Sequence, residues 1–331
     1  RQDACAAFRP PSLLRTLWRA LQLDTVACNH VFTSEQIGLL QDGHPLRPSK
    51  LGVVRGILRV AKTASLHFSG EDLRGWTTQR QPGPVFFAAT QNQFDSLKGP
   101  MAAIGKAWLV AHGKTRVEAD EQSTIRFPYG AAAWLALAFV PVALLSWIRA
   151  RGYQKRSFQY IFDQHCLAYG MYLMWVRFFA SGAARCVVVS NDHSVLNRVA
   201  VHAARDVGIP SVYVQHASVT SAFPRLAVDF ALLEGEDALR KYEQAGSAPV
   251  RVYLVGMPKA DDFEVHRPDR VRAVLGLCFN DYDSVADVEA LCISLRSSLP
   301  DVSIAVRPHP RTEEGVLKIL REVATACDCT F

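Results

Sequence analysis

Residues 186–218 constrain the fold most strongly, because their pattern fits a strand, a helix and a second strand in succession. The run opens on the apolar residues 186–189, which is typical of a strand buried on both faces of a parallel sheet. An apolar stripe at helical spacing follows, and Gly208 stands where a left-handed residue would end the helix. A second strand is predicted at residues 211–215. This βαβ unit carries polar side chains after both strands, where ligands bind in open α/β sheets. Asp192 or Ser194 is expected to cap the helix.

The same pattern recurs along the chain. Apolar strands are predicted at residues 85–89, 227–233 and 250–255, each followed by glycine or polar side chains. A helix is expected over residues 94–111 and an aromatic-rich helix over residues 158–180. Strands alternating with helices predict an α/β fold with a doubly wound parallel sheet.

Four segments are predicted. Residues 1–80 form a helical extension, residues 81–256 a first Rossmann-like domain, and residues 257–270 a polar linker that contains two prolines. A second α/β pattern over residues 271–331 is shorter than a nucleotide-binding half requires, so we expect a partial second domain.

Residues 131–148 are the most apolar run of the chain. As one helix they would extend roughly 27 Å, just short of a hydrocarbon core of ~30 Å. Predicted strands of one sheet lie on both sides of the run, which disfavours a span. Two interpretations remain. The run is either a buried core helix or a helix that lies in the plane of an anionic membrane, which residues 131–156 would contact through their basic end. An amphipathic helix near residues 13–21 either caps the core or lies on a membrane.

The bulk properties exclude some classes of protein. A hydrophobic content of 49% and a net charge of +6 describe a globular chain and do not indicate a nucleic-acid binder. The eight cysteines are scattered, which favours reduced thiols in a cytoplasmic protein. We expect a cytoplasmic location, with peripheral contact to the inner face of the membrane as an additional possibility.

Candidate functional side chains follow the predicted strands. Asp192, His216 and Glu234 are the candidates for a base that activates an acceptor hydroxyl, although each alone is also explained as a cap or hydrogen-bonding residue. Further polar residues are expected on the acceptor side: Asn92, Gln93, Asn191, His193, Gln215 and Ser218.

A cationic segment follows the predicted strand at residues 302–306. Arg307 and Arg311 offer guanidinium groups and His309 a further donor, all suited to a phosphate at the start of the next helix. Pro310 and Gly256 are placed with this donor-binding group. The alternative is a loop that turns on two prolines with solvated arginines.

Several motifs, taken as an ordered set, carry a resemblance to known enzymes: VVVSNDHSVLNRVAVHAARDVGIPSVYVQHAS, LLEGED, VYLVGMP and RPHPR. They resemble bacterial surface-polysaccharide transferases, namely capsule-type Kdo transferases, polysialyltransferases and CDP-glycerol glycerophosphotransferases. The resemblance implies a GT-B-like fold of two Rossmann-like domains facing a cleft, the second apparently truncated, and catalysis without a metal or cofactor. It also implies that His309 and Pro310 hold the donor phosphate and that Glu234 is the general base. Ala217 replaces the family glycine and would be strained at a positive φ.

The resemblance implies a glycosyltransferase that moves a sugar from a CMP- or CDP-activated donor to a surface polysaccharide or glycolipid. Two alternatives are kept. One is a UDP-sugar 2-epimerase-like enzyme, which acts on a soluble nucleotide sugar. The other is a non-catalytic carbohydrate-binding or scaffold protein of polysaccharide export.

Overall fold

The computed structural model describes residues 11–29, 50–78, 80–112, 124–220, 223–246, 250–263, 274–279, 283–309 and 312–331. The chain divides into two compact units, Arg1–Asp262 and Phe263–Phe331.

The first unit is built on a seven-stranded parallel sheet with the order β3-β2-β1-β4-β5-β6-β7. Its strands are β1 (Gly83–Ala88), β2 (Trp108–His112), β3 (Thr124–Phe127), β4 (Ala184–Val189), β5 (Ser211–Val214), β6 (Phe230–Leu233) and β7 (Arg251–Leu254). The strand order is that of the doubly wound dinucleotide-binding fold, with one strand added at the end. The predicted α/β class and Rossmann-like sheet are therefore confirmed. The order reverses between β1 and β4, so the ligand-binding crevice of this fold class lies beyond their carboxyl ends.

Helices cover the sheet. Those of the first unit are α1 (Leu13–Leu21), α2 (Thr25–Cys28), α3 (Lys50–Leu66), α4 (Gly70–Thr77), α5 (Gln91–Ile104), α6 (Tyr129–Leu137), α7 (Val140–Arg149), α8 (Gly152–Ala180), α9 (Val195–Val207) and α10 (Glu236–Gln244). A short 3-10 helix, Pro258–Phe263, follows β7. Gly208 ends α9 in the left-handed conformation at φ 81°, as the sequence predicts.

The predicted helix over residues 94–111 is wrong at its second half. Helix α5 ends at Ile104, and Gly105 adopts φ 79°, which favours glycine and turns the chain. Residues 108–112 then form β2, which pairs with β1 on one side and with β3, the edge strand, on the other. The run WLVAH is almost entirely buried, so it lacks the polar alternation that distinguishes a strand from a buried helix.

The apolar run at residues 131–148 is not one helix. It breaks into α6 and α7, which are bent by 67° at the break. Pro141 stands in the first turn of α7, where its missing N–H leaves no hydrogen bond unmade. Among the described residues, no single helix is long and apolar enough to cross a membrane, and only this bent pair meets the criterion together.

The core of the first unit centres on α8, whose aromatic side chains pack as predicted. Trp175 is fully buried and contacts the rings of Trp76, Phe87 and Phe127 at centroid distances of 5.1, 5.3 and 5.5 Å. Gly170 allows α8 to approach α6 closely, since a Cβ there would overlap the Ala132 carbonyl oxygen. This packing fixes the helices against the sheet and thereby positions the strand ends.

The second unit contains two parallel strands, β8 (Val274–Cys278) and β9 (Ser303–Arg307). Two helices, α11 (Val285–Ser298) and α12 (Glu314–Ala326), pack with them around a small core that includes Cys292, Val306 and Leu320. The interdomain linker expected at residues 257–270 lies partly outside the described residues.

Candidate functional site

The loop after β4 is organised by Asn191. Its Oδ1 accepts the backbone N–H groups of His193 at 3.0 Å and Ser194 at 2.8 Å. Ser194 is the N-cap residue of α9, as the sequence predicts, but its side chain makes no capping hydrogen bond, and the Asp192 carboxylate accepts from Tyr242 instead. Asn191 has a structural role in this loop, since its side-chain oxygen Oδ1 accepts the two hydrogen bonds that form the turn.

The orientation of Asn191 determines the tautomer of His193. With Oδ1 occupied, Nδ2 faces the His193 Nε2 at 3.2 Å and donates to it. The proton of the neutral imidazole then sits on Nδ1, which donates to Asp192 Oδ1 at 3.1 Å. The His193 ring also packs on Phe223 at a centroid distance of 4.6 Å. Both ring nitrogens are thus occupied by neighbours in the chain.

Asp192 is the centre of a buried hydrogen-bond chain. Its Oδ2 accepts from the Tyr242 hydroxyl at 2.7 Å, and that hydroxyl lies 3.2 Å from the hydroxyl of Tyr213. Burial and the nearby Asp192 carboxylate raise the pKa values of both tyrosines, which keeps their protons in place. Arg198 donates to the Asp192 carbonyl at 2.8 Å. The two tyrosines carry no motif signal in the sequence, because the contact forms only when β5, α10 and the β4 loop meet.

His216 follows β5 and is held as a neutral imidazole. Burial, together with the neighbouring His193 and Lys259, lowers its pKa to about 4. Its Nδ1 is buried and has no hydrogen-bond partner in the described part of the chain. A neutral ring with an unoccupied nitrogen can accept or donate a proton at neutral pH.

Glu234 follows β6, the neighbouring strand. Its backbone N–H donates to Gln215 Oε1 at 3.0 Å, which ties the two strand ends together. The Oε1 atom of Glu234 is buried and has no partner among the described residues. Its charge contributes to the raised pKa of Tyr213, so the carboxylate lies near the buried tyrosine pair.

Lys259 is a site residue that the sequence reading assigned to the linker. Its Nζ donates to the His216 carbonyl at 2.7 Å and to Asn92 Oδ1 at 3.3 Å. It therefore connects the start of α5 with the end of β5, across the point where the strand order reverses. Gly256, at φ 78°, turns the chain from β7 toward this lysine. A cation in the first turn after a strand end is the signal that could have identified it.

Several predicted acceptor-side residues serve the backbone. Gln93 accepts the Ala89 N–H at 2.8 Å, and Gln215 donates to the Ala217 carbonyl at 3.0 Å. Ser218 is exposed. Ala217 does not adopt a positive φ, so the strain expected at this position is absent.

A cavity of about 400 Å³ lies beside the His193 loop. It is lined by polar residues, Asn29, Tyr129 and Gln164 among them, together with apolar side chains from α8 and α9. The Oδ1 atom of Asn29 is buried there without a partner among the described residues. Polar groups set in an apolar wall are typical of small-molecule sites.

The predicted phosphate-binding segment lies in the second unit. Arg307 ends β9 and is exposed, while the His309 carbonyl accepts the Thr312 N–H at 3.0 Å. Pro310 and Arg311 lie outside the described residues. Helix α12 begins with Glu313 at its N-cap and Glu314 in its first turn, two carboxylates that compete with an anion for the helix N-terminus. The donor-site assignment stays a prediction.

Comparisons with known proteins come from structure. No protein-family model matches the chain, and no curated protein matches it in sequence. A Listeria monocytogenes protein assigned as a UDP-N-acetylglucosamine 2-epimerase is similar in fold, at 10% identity and a TM-score of 0.44, over 77% of this chain and 68% of that one. The Neisseria meningitidis UDP-GlcNAc 2-epimerase, solved bound to UDP-GlcNAc, gives 10% identity and a TM-score of 0.40, over 74% of this chain and 70% of that one.

These neighbours correct the activity expected from the sequence. The prediction of a transferase with a CMP- or CDP-activated donor is wrong, because the similar structures are UDP-N-acetylglucosamine 2-epimerases and fit the alternative that the sequence left open. At 10% identity the likeness concerns the fold alone. The structure confirms the Rossmann-like parallel sheet that the resemblance implies for the first unit.

Proposed function

We propose that the protein acts on a nucleotide-activated sugar by acid–base chemistry at a ring carbon, as a UDP-sugar 2-epimerase-like enzyme does. The observation that carries the proposal is a pair of buried polar atoms that have no hydrogen-bond partner in the described part of the chain, His216 Nδ1 and Glu234 Oε1. They follow adjacent parallel strands at the carboxyl edge of a doubly wound sheet, where nucleotides bind in this fold class.

Inversion of a carbon centre needs two proton-transfer groups. One removes the proton from one face of the carbon and the other returns a proton to the opposite face. His216, neutral because burial lowers its pKa to about 4, suits one role, and the Glu234 carboxyl group suits the other. The C–H bond at ring carbon 2 is not acidic, so its proton leaves as the bond from carbon 1 to the nucleoside diphosphate breaks: the C–H electron pair forms a double bond between carbons 1 and 2, and the C–O pair leaves with the diphosphate. Return of the diphosphate and of a proton completes the inversion.

Stabilisation of the departing diphosphate requires cations. Lys259 lies at the crevice of the first unit, with its ammonium group held by the His216 carbonyl and Asn92. An ammonium group placed beside a developing phosphate charge lowers the barrier to its departure. Lys259 is therefore proposed as the positioning cation for the nucleotide.

Turnover with a defined substrate tests the proposal. The full chain is incubated with UDP-GlcNAc, and the product sugar nucleotide is resolved by NMR. We expect conversion to the C2 epimer, and a loss of about 100-fold or more in kcat for His216→Asn and for Glu234→Gln. Absence of both turnover and binding of UDP-GlcNAc would contradict the proposal.

A matched control separates charge from position. Asp237 lies three residues after Glu234 but is exposed in the first turn of α10 and pairs with Lys241 at 2.6 Å. Asp237→Asn is expected to leave kcat and KM unchanged. An equal loss in Asp237→Asn and Glu234→Gln would show a general effect of charge rather than a role for Glu234.

A further inference from the structure

Helix α1 exposes almost its entire apolar side. Trp18 is 61% exposed and Leu14 80%, and the remaining large apolar residues are also exposed: Leu13, Leu17 and Leu21. The expectation that this helix caps the core is wrong for these side chains, because only Ala20 of α1 is buried. Such a contiguous apolar surface marks an interaction site in a folded protein.

Helix α7 also exposes large apolar side chains. Leu145 and Ile148 are 45% and 64% exposed. Phe139, which precedes α7, stacks on Tyr169 of α8 at a centroid distance of 5.0 Å, and Thr25, the first residue of α2, lies 3.0 Å from the Nδ1 atom of His165 on the same helix. Helices α1 and α7 both contact α8.

The charges of both segments have one sign. Residues 11–23 and 140–156 contain six arginines and lysines and no aspartate or glutamate. All six are exposed: Arg15, Arg19, Arg149, Arg151, Lys155 and Arg156. One of them, Arg19, pairs with Asp206 at 3.1 Å. Apolar side chains surrounded by cations are complementary to a bilayer whose surface carries anionic headgroups.

We propose that α1, α7 and the start of α8 form a peripheral binding surface for anionic lipid bilayers, with the apolar side chains inserted in plane and the cations at the headgroups. The surface is independent of the sheet edge where the proposed chemistry lies, so failure of either proposal leaves the other standing. Insertion in plane agrees with the 67° bend between α6 and α7, which a straight spanning helix would not have.

Vesicle co-sedimentation of the full chain tests this surface. We expect binding to vesicles that contain about 30% phosphatidylglycerol, little binding to pure phosphatidylcholine, and weakening as salt is raised from about 0.1 M to about 0.5 M. The double variants Leu14→Ser/Trp18→Ser and Arg151→Glu/Lys155→Glu should each bind at least about tenfold more weakly. All four positions are exposed, so the fold should persist, and circular dichroism checks this.

The matched control lies in the second unit. Leu291 and Ile293 are also exposed apolar residues, at 42% and 53%, on α11. Leu291→Ser/Ile293→Ser is expected to bind vesicles like the unaltered chain. Equal binding to neutral and anionic vesicles, or unchanged binding of the α1 variant, would overturn the proposal. A dimer in solution that Leu14→Ser/Trp18→Ser converts to a monomer would also overturn it, because α1 would then cover a second copy.

Discussion

Asp192 is a carboxylate with partners on both oxygens, one from His193 and one from Tyr242. His216 Nδ1 and Glu234 Oε1 have no hydrogen-bond partner among the described residues, whereas both Asp192 oxygens are hydrogen-bonded and hold the site together. At the scale of single residues, position after a strand identifies the group of candidates, and hydrogen-bond occupancy separates their roles.

The Tyr242 hydroxyl is expected to stabilise the fold. Tyr242→Phe removes a hydrogen bond to a buried carboxylate, which should lower the free energy of unfolding by about 1–3 kcal/mol. Urea unfolding measures the change. Tyr253→Phe is the control, since Tyr253 is 52% exposed on β7 and should change stability by less than about 0.5 kcal/mol. Equal effects of the two variants would contradict the assigned hydrogen bond.

His165 makes stability depend on pH. It is fully buried between Ser157 and Thr25, and burial lowers its pKa to about 3. The unfolded chain therefore binds a proton near pH 6.5 that the folded chain binds only near pH 3. Above pH 6.5, His165 is neutral in both states and does not lower the free energy of unfolding. Below pH 6.5, the free energy of unfolding falls by about 1.4 kcal/mol per pH unit, because only the unfolded chain binds the proton.

The measurement compares unfolding free energies at pH 7 and pH 5. His165→Gln should show a smaller loss over this interval than the unaltered chain, by about 2 kcal/mol. Identical pH slopes in the two proteins would show that His165 is not a buried neutral group.

At the scale of elements, close helix contacts depend on particular glycines. Gly170→Ala would drive a methyl group into the Ala132 carbonyl and separate α8 from α6, at a cost of about 1–3 kcal/mol or more. Gly75→Ala, in α4, meets nothing within 4 Å and should be neutral or stabilise by up to about 1 kcal/mol. Thermal unfolding of both variants measures the contrast. Similar melting temperatures would contradict the close contact.

The elements that the sequence predicted well share a physical basis. The βαβ unit around Gly208 combines an uninterrupted apolar strand, an amphipathic helix and a glycine stop, which are local signals. Strand β2 was missed because a fully buried strand after a helix has no polar alternation. The bend between α6 and α7 was missed because apolar content alone does not distinguish one helix from two.

The site was predictable only in part for a related reason. Strand ends could be located, which gave His216 and Glu234. The partners of Asp192 on α10 and β5, and the ammonium group of Lys259, come together through tertiary contacts that leave no local pattern. The strand ends could be located from the sequence, whereas the hydrogen-bond partners of their side chains required the structure.

At the scale of the whole molecule, the proposed proton-transfer pair follows β5 and β6, two adjacent strands of the doubly wound sheet. The most direct test is hydrogen exchange at the substrate. When the full chain turns over UDP-GlcNAc in D2O, we expect deuterium to appear at carbon 2 of the sugar, and we expect His216→Asn and Glu234→Gln to slow this appearance while Asp237→Asn does not. Turnover or binding of UDP-GlcNAc with no deuterium at carbon 2 would contradict acid–base chemistry at the ring carbon.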